Sequence, residues 1–151
     1  MAGVLLSSIQ NAQKGQVMAY WLKWFATVVM IGFVGGVVGA LMFGTLGGIV
    51  SGFGAIVGGV CAAGMFGRPD SSGIGIAAMG ALLSTAIGAG VIGALFGGFA
   101  GAFEAAGGIL AALVIQWPVG LAWCAMMTVV HLTARAMGDV VAHNETECSA
   151  H

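Results

Sequence analysis

Long apolar runs, separated by very few charged positions, are the dominant pattern along this chain. Residues 24–67, 71–103 and 105–130 contain no Asp, Glu, Lys, Arg or His. Because about 20 apolar residues cross a bilayer core as a helix, the first run is long enough to cross twice. The pattern predicts an all-α fold, a polytopic integral membrane helical bundle.

The few polar interruptions divide this bundle into about four transmembrane helices within residues 17–134. They are predicted over residues 17–43, 46–66, 74–96 and 109–131. A tight apolar turn is expected between the first two, around Gly44 to Gly48, and Arg68-Pro69-Asp70 predicts a polar turn after the second. Residues 1–16 are predicted to be a short polar or interfacial segment, and residues 135–151 a polar tail.

The first apolar run also has to be distinguished from a cleaved leader. Lys14 and Lys23 precede it, as basic residues precede the core of a signal peptide. A signal-peptide core has about 7–15 apolar residues, and this run is far longer. We therefore expect the run to be a retained membrane helix.

The segment from Gly97 to Gly108 allows two organisations. In the four-helix interpretation it is a turn that carries Glu104. In the alternative, residues 97–116 form a fifth crossing and the last helix starts at Pro118, a residue type favoured in the first helical turn. The alternative puts Glu104 near the middle of the bilayer and moves Arg135 to the side opposite the other basic residues. The charge distribution favours four crossings.

The basic residues also predict the orientation in the membrane. With four crossings they all fall on one side: Lys14, Lys23, Arg68 and Arg135. Positively charged loops stay in the cytoplasm, so both termini are predicted to be cytoplasmic, in a bacterial inner membrane.

Composition excludes several functional classes. Of 151 residues, 60% are hydrophobic and 6% are charged, whereas a soluble domain has about a quarter charged residues. The net charge of −1 offers no basic patch for nucleic acid. We find no nucleophile with an adjacent base, and the tail residues His143, Cys148 and His151 lack metal-site spacing. The chain is predicted to be no enzyme and to bind no metal or cofactor.

Glycine is the most prominent candidate for a functional residue type, with 28 copies. In lipid, helices associate through close van der Waals contact, which small residues permit. Small residues recur at four-residue spacing, and this spacing predicts helix-packing faces. The candidate packing residues are Gly32, Gly36, Gly44, Gly48, Gly52, Gly93, Gly97 and Gly101.

Three further residues are candidates for specific roles. A carboxylate inside a bilayer is costly and usually functional, so Glu104 is a possible ion or proton site. Pro118 removes a backbone donor and clashes with the preceding turn, so Gln116 and Pro118 mark a possible kink.

These features predict a small, non-catalytic structural subunit of a larger membrane assembly, such as a secretion, transfer or respiratory complex. Its partners would be other membrane chains, as a homo- or hetero-oligomer, and lipid. An oligomeric channel or proton conductor that uses Glu104 is the alternative. A pilin-like or holin-like assembling protein is a weaker one.

Overall fold

Three long helices account for nearly all of the fold. The computed structural model describes the backbone of residues 2–70 and 72–149, and the side chains of residues 13, 15–70 and 72–139. The helices are α1 (Ala2–Ala62), α2 (Gly73–Ile115) and α3 (Trp117–Ser149), with a 3₁₀ turn at Ala63–Met65. No strand occurs within these ranges, which confirms the all-helical prediction.

Each of these helices is long and apolar enough to cross a membrane. The apolar stretches are Gly15–Met65, Gly73–Ile115 and Trp117–Asp139. Such helices indicate an integral membrane protein, because a water-exposed domain has no use for apolar surface on this scale.

Two glycines interrupt the longer helices. Gly44 has φ 74° and ψ −172°, and Gly98 has φ 61° and ψ −152°. This conformation is essentially restricted to glycine, because any side chain would clash with the backbone. Each interruption divides its helix into two arms. The arms of α1 are residues 2–43 and 45–62, and those of α2 are residues 73–97 and 99–115.

The arms of each helix fold back on one another. A Cβ atom added to Gly39 would lie 2.7 Å from the carbonyl oxygen of Gly47, and one added to Gly48 would lie 2.9 Å from that of Gly36. In each pair one residue precedes Gly44 and the other follows it. The residue farther before Gly44 meets the residue farther after it, which is the pattern of an antiparallel hairpin. Gly93 and Gly101 make the equivalent contact around Gly98.

The two hairpins also pack against each other. A Cβ atom on Gly54 would lie 2.8 Å from the carbonyl oxygen of Gly88, and Gly58 meets the backbone of Ser84. The second arm of α1 and the first arm of α2 are therefore antiparallel. Gly54 follows Gly44 by the same number of residues as Gly88 precedes Gly98, so the two interruptions lie at the same end of the protein.

A third change of direction separates α2 from α3 at Gln116, which has φ −92° and ψ 64°. Gly120 lies against the carbonyl oxygen of Leu113. Seven residues of straight helix would separate these positions by about 10 Å, so the chain is sharply bent here. The bend lets α3 complete the buried core, which is formed by Ile31, Val34, Val38, Ala62, Phe66, Ala77, Ala81, Leu113, Met127, Val130 and Ala134.

The polar connection between α1 and α2 contains a compact turn. The Ser72 hydroxyl donates to an Asp70 carboxylate oxygen at 2.8 Å, and the Gly73 N–H donates to the Asp70 carbonyl at 2.8 Å. The Ser72 bond and a backbone hydrogen bond lower the pKa of the Asp70 carboxyl below its ordinary value. Desolvation opposes them in part, and Arg68 adds a smaller lowering effect. Since the folded-state pKa is depressed, this contribution to stability is lost as the pH falls through it.

The helix bounds differ from the predicted ones in the second half of the chain. The expected turn between Gly97 and Gly108 contracts to the single residue Gly98, and residues 99–115 are helical. The helix predicted over 109–131 is divided at Gln116. Glycine content suggested an extended turn, but a backbone in apolar surroundings satisfies its hydrogen bonds most completely as helix. In this region the helix bounds are close to those of the alternative organisation, 97–116 and a start at Pro118.

The backbone at Gly98 provides a test of the hairpin. We expect Gly98→Ala to lower the free energy of unfolding by about 1–3 kcal/mol, since alanine does not tolerate this conformation. Gly97→Ala is the matched control, because Gly97 is helical and a Cβ there meets nothing within 4 Å. Denaturant unfolding in detergent, followed by circular dichroism, measures both. Equal stability of the two variants would contradict a glycine-dependent reversal at Gly98.

Candidate helix-packing site

Four of the candidate packing glycines lie between the arms of α1. A Cβ atom on Gly52 would lie 3.3 Å from both the carbonyl oxygen of Gly32 and the Cα of Gly36. A Cβ atom on Gly48 would lie 2.9 Å from both the carbonyl oxygen of Gly36 and the Cβ of Ala40. The backbones of the two arms are therefore in close contact at Gly36. The geometry is the close approach that small residues allow between membrane helices.

The other candidate glycines divide into two groups. Gly93 and Gly101 face each other across the α2 hairpin, where a Cβ on Gly101 would lie 2.5 Å from the carbonyl oxygen of Gly93. Gly44 and Gly97 make no such contact, since a Cβ at either would meet nothing within 4 Å. Gly44 instead forms the reversal of α1, and Gly97 lies next to the reversal of α2.

The contact between the hairpins uses residues outside the predicted series. Gly54 and Gly58 on α1 meet Ser84 and Gly88 on α2. Both pairs have a spacing of four residues, so each forms a short strip on one helix face. This small-xxx-small spacing is visible in the sequence. Sequence spacing alone does not show which of the many such pairs face each other.

A polar contact joins α1, α3 and the connection between α1 and α2. The backbone N–H of Gly67 donates to Nδ1 of His131 at 3.1 Å, and Lys23 Nζ donates to the carbonyl oxygen of Gly67 at 3.5 Å. His131 is buried, with 5% of its surface exposed. Both polar backbone groups of Gly67 are therefore bonded to side chains of the two flanking helices.

The position of Gly67 requires glycine for two reasons. Its φ is 72°, in the region that side chains rarely adopt. A Cβ there would also lie 2.6 Å from the carbonyl carbon of Ala134 and 2.7 Å from its oxygen. The connection is thus pressed against the backbone of α3, one turn of helix after His131. The partner of His131 is 64 residues away in the sequence, so no local pattern indicates this bond.

Glu104 lies on the second arm of α2, and its side chain is exposed. Its neighbour Ala105 turns inward and meets Gly93, whereas Phe103, stacked edge-to-face on Phe99 at 5.0 Å, faces outward. The carboxylate therefore lies on the outer surface of the helix pair. The structure places it within a helix and away from the interior of this chain.

Gln116 and Pro118 lie at the junction of α2 and α3, and both are exposed. The Gln116 carbonyl accepts hydrogen bonds from the N–H groups of Val119 at 2.9 Å and Gly120 at 3.0 Å. Pro118 is in the first turn of α3, where its missing N–H leaves no bond unmade. The direction change occurs at Gln116, and the proline starts the next helix.

Metal-ligating side chains do not come together in the part of the chain with described side chains, where no group of three or more His, Cys, Asp or Glu residues occurs. The tail residues His143, Cys148 and His151 lie outside the described side chains. Within the same part of the chain, every buried side-chain nitrogen or oxygen atom has a hydrogen-bond partner. The arrangement is one of satisfied contacts between helices.

Comparisons with protein-family models, curated proteins and solved structures find no match for this chain.

The contact between the hairpins can be tested at Gly58. We expect Gly58→Ala to lower the free energy of unfolding by about 1–3 kcal/mol, because the added methyl group collides with the Ser84 backbone. Gly75→Ala is the control, since a Cβ at Gly75 meets nothing within 4 Å. Denaturant titration of both proteins in the same detergent compares them. A Gly58→Ala protein as stable as the control would exclude this close approach.

The buried hydrogen bond of His131 makes a separate prediction. His131→Leu keeps an apolar side chain but leaves the Gly67 N–H without an acceptor, which costs about 1–3 kcal/mol of stability. Thr128→Val serves as the control, because the exposed Thr128 hydroxyl bonds only to the Cys124 carbonyl of its own helix. Amide hydrogen exchange at Gly67 reports the bond directly. Unchanged protection in His131→Leu would rule out this bond.

Proposed function

We propose that this protein is a small, non-catalytic structural subunit of a larger membrane assembly, such as a secretion, transfer or respiratory complex. The observation that carries the proposal is the outward display of large apolar side chains on every helix. Phe96 and Phe99 are 83% and 82% exposed, and Leu46, Val114 and Ile115 are each 78% exposed. Apolar surface of this extent is typical of contacts with lipid or with other chains.

The internal contacts support the same function. Because glycine backbones touch directly in both hairpins, the protein forms a thin bundle and directs its bulky side chains outward. The polar contact at Gly67 joins two helices and the connection between α1 and α2, and its hydrogen bonds are used within the chain. A chain built in this way acts most simply by packing against its neighbours.

We further propose four passages through the membrane, with both termini in the cytoplasm of a bacterial cell. Lys23 and Ala134 both meet Gly67, so Lys23, Arg68 and Arg135 belong to one end of the bundle. Gly44 and Gly98 lie at the opposite end. Residues 99–139 then make one bent passage through Gln116, which keeps Arg135 on the side of the other basic residues, in agreement with the positive-inside rule.

A second candidate function is an oligomeric channel or proton conductor, and the position of Glu104 favours it. Glu104 follows Gly98 by about 9 Å of helix, so it lies below the hairpin tip. Because it faces outward, it would line a pathway only between chains. An assembly of several copies would turn these carboxylates toward one another or toward a shared pore.

Purification tests the subunit proposal. We expect a tagged chain extracted in mild detergent to bring down other membrane proteins in fixed stoichiometry, identified by mass spectrometry. An unrelated tagged membrane protein of similar size is the control for non-specific association. A uniform homo-oligomer without other chains would overturn the subunit proposal and favour the channel. A large polymer would favour the pilin-like or holin-like alternative.

Cysteine labelling tests the channel candidate. Single cysteines at Ala102 and Ala106 are introduced into a chain whose own Cys61, Cys124 and Cys148 are replaced. Ready labelling by a membrane-impermeant reagent from the side opposite the termini places Glu104 in water and removes the channel candidate. Protection of both positions, together with loss of proton uptake in Glu104→Gln vesicles, would support it.

A further inference from the structure

A large cavity lies at the centre of the bundle. Its volume is about 540 Å³, and it is bordered by both arms of α1, both arms of α2 and the start of α3. Representative residues of its wall are Ile31, Val38, Gly54, Gly88, Leu113 and Trp123. An apolar cavity of about 150 Å³ is already large enough to bind benzene, so this one has room for a substantial ligand.

The wall of the cavity selects an apolar ligand. Among the described residues, none of those that border it is charged. Its hydroxyl groups are those of Ser51, Ser84 and Thr85, and the last two donate to the Ala81 carbonyl at 2.9 Å and 2.8 Å. A bound water needs two to four polar partners, and most of this wall is apolar side chain. The cavity therefore favours hydrocarbon over water or a polar metabolite.

The shape of the cavity narrows the choice further. Its wall follows the first arm of α1 from Ile31 to Phe43, which corresponds to about 18 Å of helix. The tails of one lipid leaflet extend for half of the roughly 30 Å hydrocarbon core, which matches this length.

One end of the cavity is open and the other is closed. Phe43 and Leu46, beside the Gly44 reversal, are 61% and 78% exposed. At the far end Ile31 and Met127 are buried. A hydrocarbon chain can therefore enter beside the hairpin tips and extend toward the middle of the protein.

We propose that this cavity holds one acyl chain of a membrane phospholipid. The bound chain fills the space between the helices and completes the core of the bundle. This site is independent of the partner proteins and of Glu104.

Trp123 allows the proposal to be tested by fluorescence. A chain with Trp21→Phe, Trp24→Phe and Trp117→Phe retains Trp123 as its single tryptophan. It is reconstituted into phosphatidylcholine vesicles whose acyl chains carry bromine, a contact quencher. Ala89→Leu narrows the cavity, because Ala89 borders it. Ala94→Leu is the control, since Ala94 is exposed on the same arm and is not part of the wall.

We expect at least a twofold loss of Trp123 quenching in Ala89→Leu and no change in Ala94→Leu. Native mass spectrometry should find one phospholipid retained per unmodified chain and in Ala94→Leu, but not in Ala89→Leu. Ile92→Phe is a second filling variant, used if Ala89→Leu does not fold by circular dichroism. Equal quenching and equal lipid retention in filled and control variants would overturn the proposal. So would cross-linking that places a second protein chain in the cavity.

Discussion

The requirement that every backbone polar group be bonded within the chain governs this structure. In apolar surroundings an unbonded N–H or carbonyl group costs several kcal/mol, so the chain stays helical wherever it can. It changes direction only where the break is short. Gly44 and Gly98 reverse the chain with one non-helical residue each, and Gln116 redirects it with its carbonyl still bonded. The arms, the hairpins and the central cavity all follow from the positions of these three residues.

The same requirement explains the polar contact at Gly67. This residue lies in the connection between α1 and α2, outside both helices, so its backbone groups need other partners. His131 and Lys23 supply them from two different helices. A buried backbone group that bonds to a side chain is fixed in place by that side chain's helix. The connection is thereby tied to α1 and α3, and three parts of the chain distant in sequence share one junction.

Much of the fold could be predicted from local patterns, and the rest depended on long-range contacts. The charge-free runs predicted membrane helices, Gly44 was within the expected apolar turn, and Arg68-Pro69-Asp70 lies between α1 and α2. The Gly98 reversal was harder to predict, because five glycines lie between 97 and 108 and the sequence does not show which of them reverses the chain. The pairing of Gly58 with Ser84 and of Gly67 with His131 could not be predicted, since neighbouring residues carry no information about a partner on another helix.

The contact between the two hairpins constrains the length of each arm. Gly54 and Gly58 meet Ser84 and Gly88 only because each strip lies at a set number of residues from its reversal. Adding one residue between Gly44 and Gly54 would rotate the first strip by about 100° and bring Phe53 and Val57 to the positions of Gly54 and Gly58. A change in length therefore disturbs the pairing less at the exposed residues 68–70 than within the arms, whose residue count sets which faces meet.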